Sequence, residues 1–417
     1  MTPNSAREEV LPPRRYAWLV FALSFLLLLS DYMSRQVLNA VFPLLKAEWS
    51  VTDTQLGTLS GVVAFAVGIL TFPLSLLADR WGRVRALTIM ATLWSLATLG
   101  CGLAQNYPQM LLARTLVGIG EAGYGSVGIA VVLAVFPPQL RATLTAAFMA
   151  GGLLGSLFGM AIGGAVAVHL GWRWAFAVMA FFGLALASVY PLIVRDHGPT
   201  KSATPARLPW RQAFNTRSVI AVYVGSGLQL FIAGSLMAWI PTFLNRYYGL
   251  AADKAGAGAA GLVLSGSLGM VLCGMASDRL SRGLRSRKLR LAIGYCLIAS
   301  VTLLAAFQLP PGAAQIALVA MGMFFAAGTT GPAGAAVANL TPLAIHGTAF
   351  ATLTLANNLL GLAPGPVVTG MLADRFGLQS ALQFIPVVGL AAAFAFWIGL
   401  RKYDSDLRRA EPASVIN

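Results

Sequence analysis

Ionisable side chains are scarce in this sequence. Only 10% of its 417 residues are Asp, Glu, Lys or Arg, against roughly 25% in soluble globular domains. Cysteine is nearly absent as well. Cys101, Cys273 and Cys296 lack metal-like spacing and sit in or near apolar runs, where a free thiol acts as a small hydrophobe. His169, His197 and His346 fall at expected loop ends and form no ligand cluster. No metal and no cofactor is expected. A membrane-embedded enzyme would need a nucleophile with its base, or metal ligands at one depth, and neither pattern is visible. The N-terminus is polar, and the first apolar run continues into a charged span without a small-residue cleavage site, so no cleavable signal is expected.

What the chain has in quantity is apolar sequence. Hydrophobic residues make up 57% and the mean hydropathy is +0.74, the composition of a polytopic membrane protein. Runs bounded by charge or turn residues place six spans at about 17–43, 56–78, 85–104, 109–136, 142–168 and 173–194. Six more fall at about 218–245, 256–277, 290–309, 313–340, 348–371 and 379–400. This predicts an all-α protein of twelve transmembrane helices in two six-helix halves, 1–194 and 218–417, joined by a polar linker at 195–217. Within the linker, Leu208-Pro-Trp-Arg-Gln-Ala-Phe214 reads either as a short interfacial helix, with Trp210 and Phe214 at the lipid headgroups, or as disordered chain.

The net charge of +15 could suggest nucleic acid, but the placement of the bases argues against it. Of 29 Lys and Arg, 22 lie on the side of the termini, 5 (Lys46, Arg173, Arg246, Lys254, Arg375) on the other, and 2 within spans. Basic residues accumulate on the cytoplasmic side of membrane proteins. Both termini are therefore expected in the cytoplasm, in a bacterial inner membrane with lipid as its surroundings. No nucleic-acid partner is expected.

The two in-span bases define the interesting stretch. Arg114-Thr-Leu-Val-Gly-Ile-Gly-Glu121 places an arginine and a glutamate in an otherwise apolar run, nearly two helical turns or roughly 10 Å apart along one face. In the first span Asp31 and Arg35 share a face at i and i+4. Ionisable groups at that depth are costly and mark function. Gly118, Gly120 and Gly123 spell G-x-G-x-x-G, but a dinucleotide site needs a strand before it and a soluble βαβ unit around it. Between apolar helices these glycines are expected to serve close packing. Gly155, Gly159 and Gly163 form a second small-residue ridge, similar to the glycine-rich fifth helix of drug/proton antiporters.

The chain also repeats. Ala78-Asp79-Arg80-Trp-Gly-Arg83 after the second span is echoed 199 residues later by Ser277-Asp278-Arg279-Leu-Ser-Arg282 after the eighth. Arg141-Ala-Thr-Leu-Thr is echoed by His346-Gly-Thr-Ala-Phe at an offset of 205. Repeated halves with a site between them are the architecture of secondary transporters.

The Asp79-Arg80-x-Gly82-Arg83-x-Arg85 turn, its echo, and the six-plus-six layout resemble the major facilitator superfamily across essentially the whole chain. Within it, Asp31-Tyr32-Met-Ser34-Arg35, Asp53-Thr-Gln-Leu-Gly57, Arg114 to Gly123 and Gly171-Trp-Arg-Trp-Ala-Phe176 resemble the spinster family, including its bacterial members. In that family's first helix the acid usually precedes the arginine directly; here it stands at 31, and Ser34 takes its place. The resemblance implies alternating access and a small-molecule or lipid-like substrate, such as a lysolipid or sphingolipid-type solute. A cytoplasmic latch of Asp79, Arg80, Arg83, Arg141, Asp278 and Arg279 is expected, with Asp79 accepting from helix N-termini or pairing with Arg141.

Depth then assigns roles. Arg35 and Arg114, permanently charged planar forks, are expected to bind the anionic part of a substrate, with Tyr32 beside them. Asp31 and Glu121 are expected to carry protons, Asp31 as the resting partner of Arg35 and Glu121 as the less neutralised acid. A closed ion-pair cluster without a ligand is the alternative. The second half offers Gln229, Phe325, Thr329 and Asn357 as a neutral wall for an amphipathic substrate, each with plain packing or interhelical hydrogen bonding as its competing role. The leading expectation is a monomeric, proton-coupled transporter of an amphipathic organic anion. An uptake symporter for small carboxylates and a drug/proton antiporter are the alternatives.

Overall fold

The computed structural model describes residues 13–196, 214–281, 284, 286–342 and 345–410, without the side chains of Asp79, Pro138, Ala142, Arg409 and Ala410. Sixteen α-helices account for nearly all of it, and no strand occurs among the described residues. They are α1 (Arg14–Trp49), α2 (Asp53–Trp81), α3 (Arg83–Leu103), α4 (Tyr107–Glu121), α5 (Tyr124–Ala134), α6 (Arg141–Leu170), α7 (Trp172–Ile193) and α8 (Arg217–Tyr248). Then follow α9 (Ala252–Leu280), α10 (Arg287–Gln308), α11 (Ala313–Ala327), α12 (Thr330–Leu340), α13 (His346–Asn357), α14 (Pro364–Phe376), α15 (Leu378–Phe384) and α16 (Val387–Ala410).

Helix starts and stops follow local chemistry. Thr52 and Gln55 close a capping box at the start of α2, and Asn106 and Thr216 cap α4 and α8 through their side chains. Ser50 and Gly249, both left-handed, end α1 and α8 and return the chain within three residues.

Among the described residues eleven stretches are long and apolar enough to cross a membrane. The expected eleventh span is not one of them, because it is broken into α13, a π-helical turn at Asn358–Leu362, and α14. The cause is Pro364 and Pro366: proline has no N–H to give the carbonyl four residues back, so the ladder shifts register. The expected fourth span is also two helices. Gly123 adopts φ +96°, and the chain turns between α4 and α5 immediately after Glu121.

Small residues set the packing, as expected where lipid supplies no hydrophobic drive between helices. Gly155, Gly159 and Gly163 on α6 meet Leu29, Met33 and Val37 on α1, one turn apart each time. Gly118 lies against Val63 and Ala66 of α2, and Gly120 against Trp94 of α3. The G-x-G-x-x-G glycines are therefore two packing contacts and a helix break.

Helices of the first six spans also touch those of the last six. α6 crosses α9 at Gly164–Ala252 and Gly256–Met160, and α2 crosses α14 at Gly57–Pro366, Gly61–Ala363 and Gly370–Asp53. These contacts lie toward the end of the bundle away from the termini, hereafter the distal end.

Candidate functional site

The expected pairing of Asp31 with Arg35 does not form. Arg35 instead crosses from α1 to α4, placing Nε at 3.0 Å and Nη2 at 2.7 Å from Oε2 of Glu121. Residues four apart on a helix share a face, but an arginine long enough to leave its own helix takes the acid that the fold presents. The guanidinium also stands 5.2 Å from the centre of the Tyr32 ring. Glu121, expected from the sequence to be the less neutralised of the two acids, is thus the one paired with Arg35.

Asp31 and Glu121 are close enough to interact electrostatically. Asp31 Oδ1 and Glu121 Oε1 are both buried and accept no hydrogen bond.

Arg114 departs from its expected role as well. It is fully buried and spends its donors on backbone: Nε to Leu59 O (3.3 Å), Nη1 to Ser34 O (3.2 Å) and Nη2 to Arg35 O (3.4 Å). Depth was readable from spacing, but the carbonyls it faces were not. Arg114 ties α4 to α1 and α2, while the Arg35 side chain keeps 19% of its surface accessible.

On the other side, Ser226 donates to Oδ1 of Asn357 at 2.7 Å. Gln229 Nε2 (3.4 Å) and Thr329 Oγ1 (3.2 Å) converge on the carbonyl of Ala326 near the end of α11, where the break before α12 interrupts the helical ladder. Both therefore have a packing task, although Gln229 Oε1 and Asn358 Oδ1 stay buried and unpartnered. Phe325 is half-buried, edge-on to Phe324 at 5.2 Å.

Between the two sets of helices lies an apolar cavity of about 110 Å³, lined by Leu153, Leu236, Met237, Val263, Met270 and Met323 among others. Met237 links it to the charged cluster, since its Sδ accepts from Nε2 of Gln36, the neighbour of Arg35, at 3.1 Å. Asn39 Nδ2 donates to Gln36 Oε1 (2.7 Å) and to the Met237 carbonyl (3.4 Å), and Ser60 donates to Asn39 Oδ1 (3.2 Å). Sequence reasoning missed this network. The signal was Pro241, which stands four residues after Met237 in α8 and leaves that carbonyl without its helical donor.

The expected latch at the terminal end is only partly visible. The Asp79 side chain and Arg282 lie outside the described residues, as does most of the Leu208–Phe214 segment. Asp278 pairs with Lys288 at 2.7 Å, and Arg80, Arg141 and Arg279 are exposed. Arg83, half-buried, lines a small crevice with Val84, Arg195 and Asp196.

A bundle of membrane-length helices, packed through glycine and enclosing buried charge beside an apolar cavity, has the make-up of a membrane transporter. The sequence matches the Major Facilitator Superfamily model over residues 24–363, and the chain belongs to that superfamily. Among curated proteins it is 26% identical to the probable L-galactonate transporter of Escherichia coli K12, covering 98% of this chain and 97% of that protein. It is 27% identical to the Mycolicibacterium smegmatis MFS-type efflux pump, covering 95% of each. It is also 27% identical to human spinster homolog 1, covering 96% of this chain and 84% of that protein. Among solved structures, a bacterial homologue of the human lysosomal transporter spinster, inward-facing and occupied, superposes with a TM-score of 0.85 at 21% identity, covering 95% and 99% of the two chains.

Proposed function

We propose that this chain is a proton-coupled carrier for an amphipathic organic anion, with residues 1–194 and 218–417 rocking against each other around the Arg35 site. The observation that carries the reading is the single Glu121 oxygen holding both Arg35 donors while the other oxygen stays buried and unpartnered, with Asp31 within electrostatic reach. An anionic headgroup that takes the guanidinium must displace Glu121, and the displaced carboxylate, beside Asp31, holds a proton in place of the arginine. Anion and proton then enter together. The apolar cavity reached through Met237 suits the substrate's hydrocarbon part.

With both termini in the cytoplasm, closure at the distal end makes this the inward-facing conformation. The chain is expected to lie in a bacterial cytoplasmic membrane and to work as a monomer.

The second reading, uptake of small sugar acids, is favoured by relatives named as L-galactonate, D-galactonate and hexuronate transporters. Arg35 alone would hold such a carboxylate. The test is uptake by purified protein in proteoliposomes, inside alkaline, of a lysophospholipid and of galactonate in parallel. Gradient-driven accumulation of the lysolipid alone supports the first reading and of galactonate alone the second. Accumulation of neither, at any gradient, overturns both.

A further inference from the structure

Two hairpin turns at the distal end are repeats of one another. In the first, Lys46 near the end of α1 and Asp53 at the start of α2 stand seven residues apart across a left-handed Ser50, and they pair at 2.6 Å. In the second, Arg246 and Asp253 stand seven apart across a left-handed Gly249, between α8 and α9. Arg246 and Asp253 lie 200 positions after Lys46 and Asp53.

The second pair is not made. Arg246 leaves its own turn and forks onto Asp53 of the other half, with Nη1 at 2.8 Å from Oδ2 and Nη2 at 2.7 Å from Oδ1. The Asp53 side chain is 3% exposed and holds both bases. Asp374 of α14 reinforces the junction by accepting from the backbone N–H of Asp53 (2.7 Å) and Thr54 (2.8 Å) and from Thr54 Oγ1 (2.6 Å). Meanwhile Asp253 Oδ1 is buried without a hydrogen-bond partner, and among the described residues Asp253 makes no ion pair. Lys254 beside it is exposed.

We propose that Arg246 is a two-position gate, which closes the distal end by pairing with Asp53 and opens it by returning to Asp253. The idea rests on alternating access. Opening pulls α2 away from α8 and α14. Asp53 then keeps Lys46, and Arg246 takes the carboxylate waiting in its own turn. Each half retains one ion pair, so no half-buried charge is stranded, a cost that would otherwise hold the gate shut. The bland role for Asp253, an acid in the first turn of α9, accounts for its position but not for the orphaned oxygen or for the empty repeat pair.

The experiment is double electron–electron resonance in nanodiscs, with nitroxides on Leu170→Cys of α6 and Phe376→Cys of α14, both exposed at the distal end. Asp53→Asn and, independently, Arg246→Gln should each add a longer-distance population. In the Asp53→Asn background, Asp253→Asn should lower that population roughly two- to fivefold, the worth of one partly exposed ion pair, and Asp253→Glu should restore it. With Arg246→Gln also present, Asp253→Asn should change nothing. A second population that ignores Asp253→Asn, or that responds equally without Arg246, overturns the gate. A single distance in every variant overturns the gate and the alternating-access reading together.

Discussion

Arg35 and Glu121, 86 residues apart in sequence, meet at one oxygen: two N–H donors of the guanidinium reach Oε2 at 2.7 and 3.0 Å, and Oε1 stays buried without a partner. The four charges have different surroundings: Arg35 pairs with Glu121, Arg114 meets backbone carbonyls, and Asp31 Oδ1 is buried without a partner.

The two arginines should therefore fail in different ways. Arg35→Ala is expected to abolish anion binding at near-normal melting temperature. Arg114→Ala removes three hydrogen bonds that tie α4 to α1 and α2 and leaves a cavity where a fully buried side chain stood, so loss of several degrees in Tm, or of expression, should precede any effect on binding. Melting curves and ligand titration on purified protein separate them; equal melting temperatures with equal loss of binding would return Arg114 to the substrate site.

Coupling should depend on both acids. Glu121→Gln is expected to keep counterflow and lose pH-driven accumulation, because the amide mimics the protonated acid. Asp31→Asn supplies an N–H donor to the orphan Oε1 and should hold Glu121 ionised against Arg35, giving intact counterflow with accumulation cut about tenfold or more, as expected when roughly 1.4 kcal/mol favours one state. Full accumulation by both variants would place coupling elsewhere.

The apolar cavity offers a test of substrate shape. Ala233 lines it, and Ala233→Phe adds a ring to a space of about 110 Å³. Uptake of a long-chain anion should fall steeply while a small carboxylate held by Arg35 is spared. Equal loss of both would assign the cavity to helix motion and not to the substrate.

Topology follows from the distribution of the bases. Tags at either terminus or in the 195–217 linker should be reachable only from the cytoplasm, and access to any of them from the other side would reverse the reading of the distal gate.

Helix packing supplies a control. A Cβ on Gly159 would come within 2.8 Å of the Met33 carbonyl oxygen and 2.9 Å of its Cα. Gly159→Leu should therefore destabilise the fold by an amount typical of overpacking, about 1–3 kcal/mol, seen as a lower Tm in thermal unfolding in detergent.

By itself the sequence determined the class. Apolar run lengths mark an all-helical membrane protein, while the 22 of 29 bases on one side and the echo of Asp79-Arg80 at Asp278-Arg279 are the grounds for the expected orientation and the expected halves. It also determined depth, because 1.5 Å per residue places Asp31, Arg35, Arg114 and Glu121 along their axes without further information. The Gly155, Gly159 and Gly163 ridge was readable for the same reason, since periodicity along one helix is a local property. Only the tertiary structure decided partners. Arg35 takes Glu121 over the nearer Asp31, Arg114 turns to carbonyls of α1 and α2, and Arg246 leaves the carboxylate of its own turn for one in the other half. A partner is set by the rotation of neighbouring helices about their axes and by which carbonyls breaks at Gly123, Pro241 and Pro364 leave free, and spacing within one helix does not encode either.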